Sequence, residues 1–218
     1  MQRSGFLDQL AALREDVLEM ASRVEEDLGK AVESLRGGDR ILAQWVRDDD
    51  RTVNYMQVSI QDRASRLVAT QQPVARDLRE LISVIRMADN LERMGDYAVH
   101  LAKMVLKISG PGWDRQFGIL CEMGETGCVM LRKMITAWLA MDIDAAEVCA
   151  AMDSQIDVLH DTLVSGTVAD LARDRGAVTE GIKLIRTAGF LERFGDQVTN
   201  SCELVVYTVT GQYRDLNE

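Results

Sequence analysis

Apolar residues recur along the chain at the three- and four-residue spacing that is typical of amphipathic helices. The first such run begins near Leu7 and stops at the sequence Gly37–Asp39, and a second run continues to about Thr70. Pro73 is suited to the first turn of a helix, and the third run, which follows it, extends to about Ile108. The first half of the chain is therefore predicted to form three long helices.

The second half repeats this series. The strongest cluster of helix-breaking residues lies at 109–112, almost at the midpoint. One helix is then predicted from about Trp113 to Ala140, a second up to about Arg173, and a third from Gly176 to near Gly211. Between the first two, an Asp of the turn at 141–144 is placed to cap the next helix.

The pattern predicts an all-α protein of two tandem, similar, elongated three-helix bundles, with six long helices in total. The predicted boundaries place the first bundle at residues 1–109, the second at 113–212, and a short polar tail at 213–218. Long bundles with apolar flanks often pair, so a homodimer is expected.

Composition agrees with this fold and narrows the function. Apolar residues make up 47% of the 218 residues, charged residues 28% and aromatic residues 5%, which favours a globular helical protein over disorder. A membrane-spanning stretch and a secretory signal are not expected, so the protein is predicted to be cytoplasmic. The formal net charge of −10 disfavours nucleic-acid binding, which needs clustered basic residues. The four cysteines are expected to be buried and unbridged.

The sequence LER-x-GD occurs in the third helix of each half, at residues 91–96 and 191–196. At about 100° per residue, Glu92 and Asp96 fall within the apolar arc of their helix, as do Glu192 and Asp196 in theirs. A carboxylate that faces a helical core costs several kcal/mol unless a base, a cation or a proton compensates it. The glycine before each Asp removes side-chain bulk, which would allow a helix or an ion to approach closely.

Further acidic residues flank the apolar stripes and bring each half to four candidate ligands. The two sets are Asp50, Asp89, Glu92 and Asp96 in the first half, and Asp153, Asp157, Glu192 and Asp196 in the second. Oxygen-only ligands suit Mg²⁺, Ca²⁺, Mn²⁺ or ferric iron. Two alternatives remain open: a helical scaffold in which these acids form ion pairs between helices, and a carboxylate-bridged di-metal oxidase or metal store, although Glu-x-x-His pairs are missing.

Motifs of enzymatic chemistry are missing from the sequence. It has no Gly-rich phosphate loop, no G-x-S-x-G and no HExxH, so the protein is predicted not to be an enzyme. The excess of negative charge also argues against free phosphate as a ligand unless a metal bridges it.

The segment QQPVARDLRELISVIRMADNLERMGDYAVHLAK, residues 71–103, resembles the signature region of the PhoU family, and FLERFGDQVTN, residues 190–200, resembles its second copy. The resemblance implies two similar three-helix bundles. It also implies iron, zinc, magnesium, manganese or other metals bound through Glu92, Asp96, Glu192 and Asp196, with Asp50, Asp153 and Asp157 as supporting ligands. The sequence departs from the family pattern at Asn54, which stands where an acid would match Asp157, and at Tyr97 and Gln197, which stand where many members have His.

The same resemblance implies a function and partners. Members of the family regulate phosphate uptake, and when phosphate is plentiful they restrain the phosphate ABC transporter and the sensor kinase that controls phosphate-starvation genes. The expected partners are therefore the transporter ATPase and the phosphate-sensing histidine kinase. The protein would be peripheral to the membrane through these partners only.

Overall fold

The structure, a computed structural model, describes residues 2–108 and 112–217. The side chains of Gln2, Arg3, Asp50 and Arg175 lie outside this description. Most of the predicted boundary at 109–112 also lies outside it. The tail is described as far as Asn217, and Arg214 within it forms an ion pair with Glu147.

The described residues form seven α-helices and no strand, and this confirms the predicted all-α class. The helices are α1 (Gln2–Gly37), α2 (Arg40–Gln71), α3 (Ala75–Lys107), α4 (Asp114–Ala140), α5 (Ile143–Ala150), α6 (Asp153–Arg173) and α7 (Val178–Thr210). A single 3-10 turn, Arg175–Ala177, precedes α7. No helix within the two described ranges is both long and apolar enough to span a bilayer.

The predicted second helix of the second half is interrupted, and α5 and α6 together take its place. Asp142 caps α5 as expected, because its carboxylate accepts a hydrogen bond from the Ala145 N–H at 3.0 Å. The chain then turns at Ala151 and Met152, where the Met152 N–H donates to the Cys149 carbonyl at 3.0 Å. The interruption makes Asp153 the first residue of α6, a position where the helix dipole favours negative charge.

The two halves pack together through their third helices, and α1 also packs against α4. In the first half α3 packs against α1 and α2, in the second α7 packs against α4, α5 and α6, and α3 and α7 contact each other. Across this contact the Asn90 side-chain amide donates to the Ser201 hydroxyl at 3.0 Å, and the His100 and Phe190 rings stack at 4.1 Å between centroids. The halves therefore share one core. All four cysteines are buried and free, as predicted.

A buried hydrogen bond between α3 and α4 provides a stability test of this shared core. The Trp138 indole N–H donates to the Ser83 hydroxyl at 2.9 Å, and both side chains are fully buried. In Ser83→Ala the indole N–H loses its acceptor, so the free energy of unfolding should fall by about 1–3 kcal/mol. Urea denaturation measures this change, and Ser154→Ala on the exposed side of α6 is the control. Equal stability of Ser83→Ala and wild type would contradict the assigned bond.

Candidate metal centre

The buried faces of α3 and α7 are centred on Leu91 and Leu191, which are 0% and 1% exposed. Each of these helices lies between its own bundle and the other half, and so its apolar face is broad. The aspartate five residues further on lies about 140° around the helix from that centre, at the edge of the face. The prediction that all four motif carboxylates point inward is therefore wrong for Asp96, which is exposed. Glu92, Glu192 and Asp196 are half-buried.

In the second half, Asp153 brings its carboxylate against the backbone of α7. It is only 8% exposed, and a Cβ atom built on Gly195 would overlap its Oδ1 atom. The Thr199 hydroxyl donates to Oδ2 at 3.3 Å, whereas Oδ1 is buried and has no hydrogen-bond partner among the described residues. Because Gly195 has no side chain, the Asp153 carboxylate can lie between α6 and α7.

The acids of this half act on one another as like charges. Burial, followed by the charges of Asp157, Asp196 and Glu192, raises the pKa of Asp153 to about 7, although the hydrogen bond from Thr199 opposes the rise. Burial, followed by the charge of Asp196, raises the pKa of Glu192. The nearby His160 opposes this rise but does not cancel it. Burial and then Asp157 raise the pKa of Asp196. The four predicted ligands of the second half therefore lie within electrostatic reach of one another, although Asp157 itself is exposed.

Two other inward acids are matched to arginine. Glu80 on α3 is buried and forms an ion pair with Arg14 of α1, and Asp49 on α2 pairs with Arg23 of α1. Ion pairs between helices thus form at Glu80 and Asp49, which are not among the eight candidate ligands. Asp153 differs, because the neighbouring charges that shift its pKa are all carboxylates.

The first half does not reproduce this arrangement in its described side chains. Asp50, the counterpart of Asp153, lies on α2 with its side chain outside the description. A Cβ atom on Gly95 would meet a methyl group of Val53 at 3.3 Å, so the close approach there is to hydrocarbon. Among the described side chains, the contacts of Gly95 and Gly195 therefore differ.

Asp89, a predicted supporting ligand, is held by amides. The Gln57 and Gln61 side chains of α2 both donate to its Oδ1 atom, the former at 2.8 Å. It also lines a polar pocket of about 260 Å³ between α3 and α7, together with Arg86 and Arg93. This environment satisfies the carboxylate with neutral donors and does not bring it to a cluster of acids.

Sequence reasoning missed Asp27. It is 2% exposed, and its Oδ1 atom is buried without a hydrogen-bond partner in the described part of the chain. Burial raises its pKa to about 7, and the charge of Asp49 contributes to the rise. The signal in the sequence was an acid directly before Leu28, inside the apolar run of the first helix.

Across the described ranges, no three Asp, Glu, His or Cys side chains are grouped so that they could hold a metal ion as they stand. The chemistry of the second-half site nevertheless suits a hard cation, because it offers carboxylate oxygens, one of them buried and unpartnered. Without a cation these carboxylates repel one another, whereas a cation between them would attract each of them. The donor set of the second half therefore fits a hard cation.

A fold of two repeated three-helix bundles, each with a Glu-x-x-x-Asp pair on its third helix, defines a class of duplicated helical-bundle proteins. The family model described as the PhoU domain matches the sequence twice, at residues 17–105 and 120–205. The chain belongs to the PhoU family, as the motif resemblance predicted.

Similar proteins match over nearly their whole length. The relative from Clostridium acetobutylicum is 29% identical over all of both chains, and that from Streptococcus pneumoniae TIGR4 is 31% identical over 99% of this chain and all of its own. Both are named phosphate-specific transport system accessory protein PhoU homolog. The crystal structure of PhoU from Pseudomonas aeruginosa is 31% identical and superposes with a TM-score of 0.90, covering 95% of this chain and 100% of that one.

Proposed function

We propose that this protein is an accessory protein of phosphate transport that regulates phosphate uptake. The observation that carries the proposal is the match of both halves to the PhoU domain, with relatives of the same length that are named as accessory proteins of the phosphate-specific transport system. The name of the Streptococcus pneumoniae crystal structure, a phosphate transport system regulatory protein, supports the same role.

Within this role, the protein restrains the phosphate ABC transporter and the phosphate-starvation sensor kinase. The transporter ATPase and the histidine kinase are its proposed partners, on the strength of family membership. These contacts place the protein at the cytoplasmic face of the membrane through its partners. A non-enzymatic role agrees with the names of the relatives, which describe accessory and regulatory proteins.

The second-half acids are the proposed cation site of this regulator. Asp153, Glu192 and Asp196 would provide the carboxylate ligands, and Asp157 would close the site from its exposed position on α6. A bound cation would supply positive charge that compensates these carboxylates. Oxygen ligands suit magnesium, manganese and ferric iron, and the imidazole of His160 beside Glu192 also suits zinc or ferrous iron.

Regulation of uptake is tested in the host. Deletion of the gene should raise phosphate uptake and the expression of phosphate-starvation genes in phosphate-rich medium, and the wild-type gene supplied on a plasmid should reverse both. Uptake and gene expression that do not change on deletion would contradict the regulatory proposal.

The cation site is tested by removing the charges of its two α7 ligands. Glu192→Gln with Asp196→Asn should weaken Mn²⁺ binding at the tightest site at least about tenfold, because charged ligands supply most of the attraction for a hard cation. Calorimetric titration of chelator-treated protein measures this. The matched variant Glu92→Gln with Asp96→Asn should leave that site intact. A larger loss in the matched variant would assign the tightest site to the first half and contradict the proposal.

A further inference from the structure

A pocket of about 220 Å³ between the end of α3 and the start of α7 is lined by a concentration of basic side chains. Lys103 and Lys107 contribute from α3, Lys183 and Arg186 from α7, and the stacked rings of His100 and Phe190 form one wall. None of the described residues that line it carries a carboxylate. In a chain with a formal net charge of −10, four cations around one pocket are a marked local reversal of charge.

Three of the four cations are not neutralised within the described part of the protein. Lys183 forms an ion pair with Glu180 at 2.9 Å, and it also donates to the Lys107 carbonyl at 2.9 Å, which ties the two helices together. The side chains of Lys103, Lys107 and Arg186 have no ion pair or hydrogen bond among the described residues. Lysine and arginine side chains can only donate hydrogen bonds, so these three groups favour a ligand that carries hydrogen-bond acceptors.

The spacing of these charges is unfavourable without a ligand. Lys103 and Lys107 are four residues apart on α3, and Lys183 and Arg186 are three apart on α7, so each pair lies on one face of its helix. Like charges at these spacings destabilise a helix. An anion between the two helices would turn this repulsion into attraction.

The basic lining is not a general property of the repeated fold. The pocket around Asp89 occupies the related place on the other side of the α3–α7 contact. At the positions one hundred residues away from Lys103, Lys107 and Lys183 stand Glu203, Tyr207 and Ser83, none of which is basic. Only Arg186 has a basic counterpart, Arg86.

We propose that the pocket between Lys103, Lys107 and Arg186 binds a compact oxyanion of the phosphate class. The volume of about 220 Å³ is below the range of about 300–1,000 Å³ that is usual for larger organic ligands, so it favours a single phosphoryl group. The guanidinium of Arg186 matches two oxygens of such a group, and the two ammonium groups bind as point charges. Inorganic phosphate and the phosphoryl group of a phosphate monoester share this chemistry.

Calorimetric titration of the full-length protein with orthophosphate, and in a second arm with glycerol phosphate, tests the proposal. EDTA is present, so that a metal at the acid cluster cannot bridge the anion. We expect saturable binding that weakens as sodium chloride is added. Tighter binding of orthophosphate identifies the free ion as the ligand, and tighter binding of glycerol phosphate identifies a monoester. The absence of saturable binding in both arms at millimolar concentrations would overturn the proposal.

Two variants locate the bound anion. Lys103→Gln with Arg186→Gln should lower the affinity at least about tenfold, because each loses a charge-assisted hydrogen bond. Both residues lie at the protein surface or near it, so thermal unfolding should confirm an intact fold. Arg86→Gln, the same change at the related position of α3, should bind as wild type does. Equal affinities of the double variant and wild type, or an equal loss in Arg86→Gln, would show that the anion does not occupy this pocket.

Discussion

Replacement of Gly195 by alanine is expected to abolish tight cation binding in the second half and to destabilise the protein. The added methyl group would occupy the place of the Asp153 Oδ1 atom, so the carboxylate must rotate away from α7. Because Asp153 is buried, its side chain must move to another position between the packed helices α6 and α7. Overpacking of this kind costs about 1–3 kcal/mol. This exceeds the gain of about 1 kcal/mol that alanine offers over glycine inside a helix.

Gly95→Ala is the matched control for this change. It places the same methyl group at the corresponding position of α3, where the nearest atom of a described side chain is a Val53 methyl carbon at 3.3 Å. A shift of a few tenths of an ångström relieves that contact, so stability and Mn²⁺ binding should stay close to those of wild type. Thermal unfolding with and without Mn²⁺, together with calorimetric titration, separates the two variants. Tight binding retained in Gly195→Ala would show that Asp153 is not a ligand.

Asp27→Asn is expected to stabilise the protein at alkaline pH by a large amount. In the folded protein burial, followed by the charges of Asp49 and Glu26, raises the pKa of Asp27 to about 7. The charges of Arg23 and Lys30 oppose this rise. From an unfolded value of about 3.9, a rise of this size corresponds to about 4 kcal/mol at most. The asparagine side chain has a similar shape and no charge to desolvate, so the variant avoids this cost.

The sign of the effect follows from proton binding. Between about pH 4 and pH 7 the folded protein keeps a proton on Asp27 that the unfolded chain has lost, so this residue lowers stability progressively as the pH rises through that range. The difference between Asp27→Asn and wild type should therefore be near zero at pH 4, increase up to about pH 7, and remain constant above it. Urea denaturation at a series of pH values measures this difference.

Glu26→Gln provides the control on the neighbouring residue. Glu26 is exposed, and the pKa of its carboxyl is lowered, most strongly by the hydrogen bond from Lys30. Its removal should thus slightly destabilise the protein at neutral pH, the opposite of the change at Asp27. A stability difference for Asp27→Asn that did not vary with pH would contradict the buried, protonated state of that acid.

Helical periodicity was sufficient to predict the fold. The spacing of apolar residues, Pro73 and the capping acid Asp142 are local signals, and they act within one helix or one turn. The break at Ala151 and Met152 could not be predicted in this way, because it contains neither glycine nor proline and depends on how α5 and α6 pack against α4 and α7.

The site was predicted in part. The repeated motif predicted that Glu192 and Asp196 point inward, and both are half-buried. The spacing of Asp153 and Asp157 predicted two more acids beside the stripe of the middle helix, and the role of all four as ligands stays a prediction. The apolar arc calculated from the sequence wrongly predicted that Asp96 points inward. The reason is that α3 is covered on several sides, so its buried face is centred on Leu91. The basic pocket was not visible in the sequence, since its side chains come from two helices about eighty residues apart.

The claim that the acids of the second half bind a cation is tested most directly by X-ray diffraction from crystals grown with Mn²⁺, with data collected near the manganese absorption edge. The account predicts an anomalous peak between the start of α6 and α7, within about 2–2.5 Å of oxygens from Asp153 and the Glu192–Asp196 pair. A map without a peak between these helices, in protein whose four carboxylates are ordered, would contradict it.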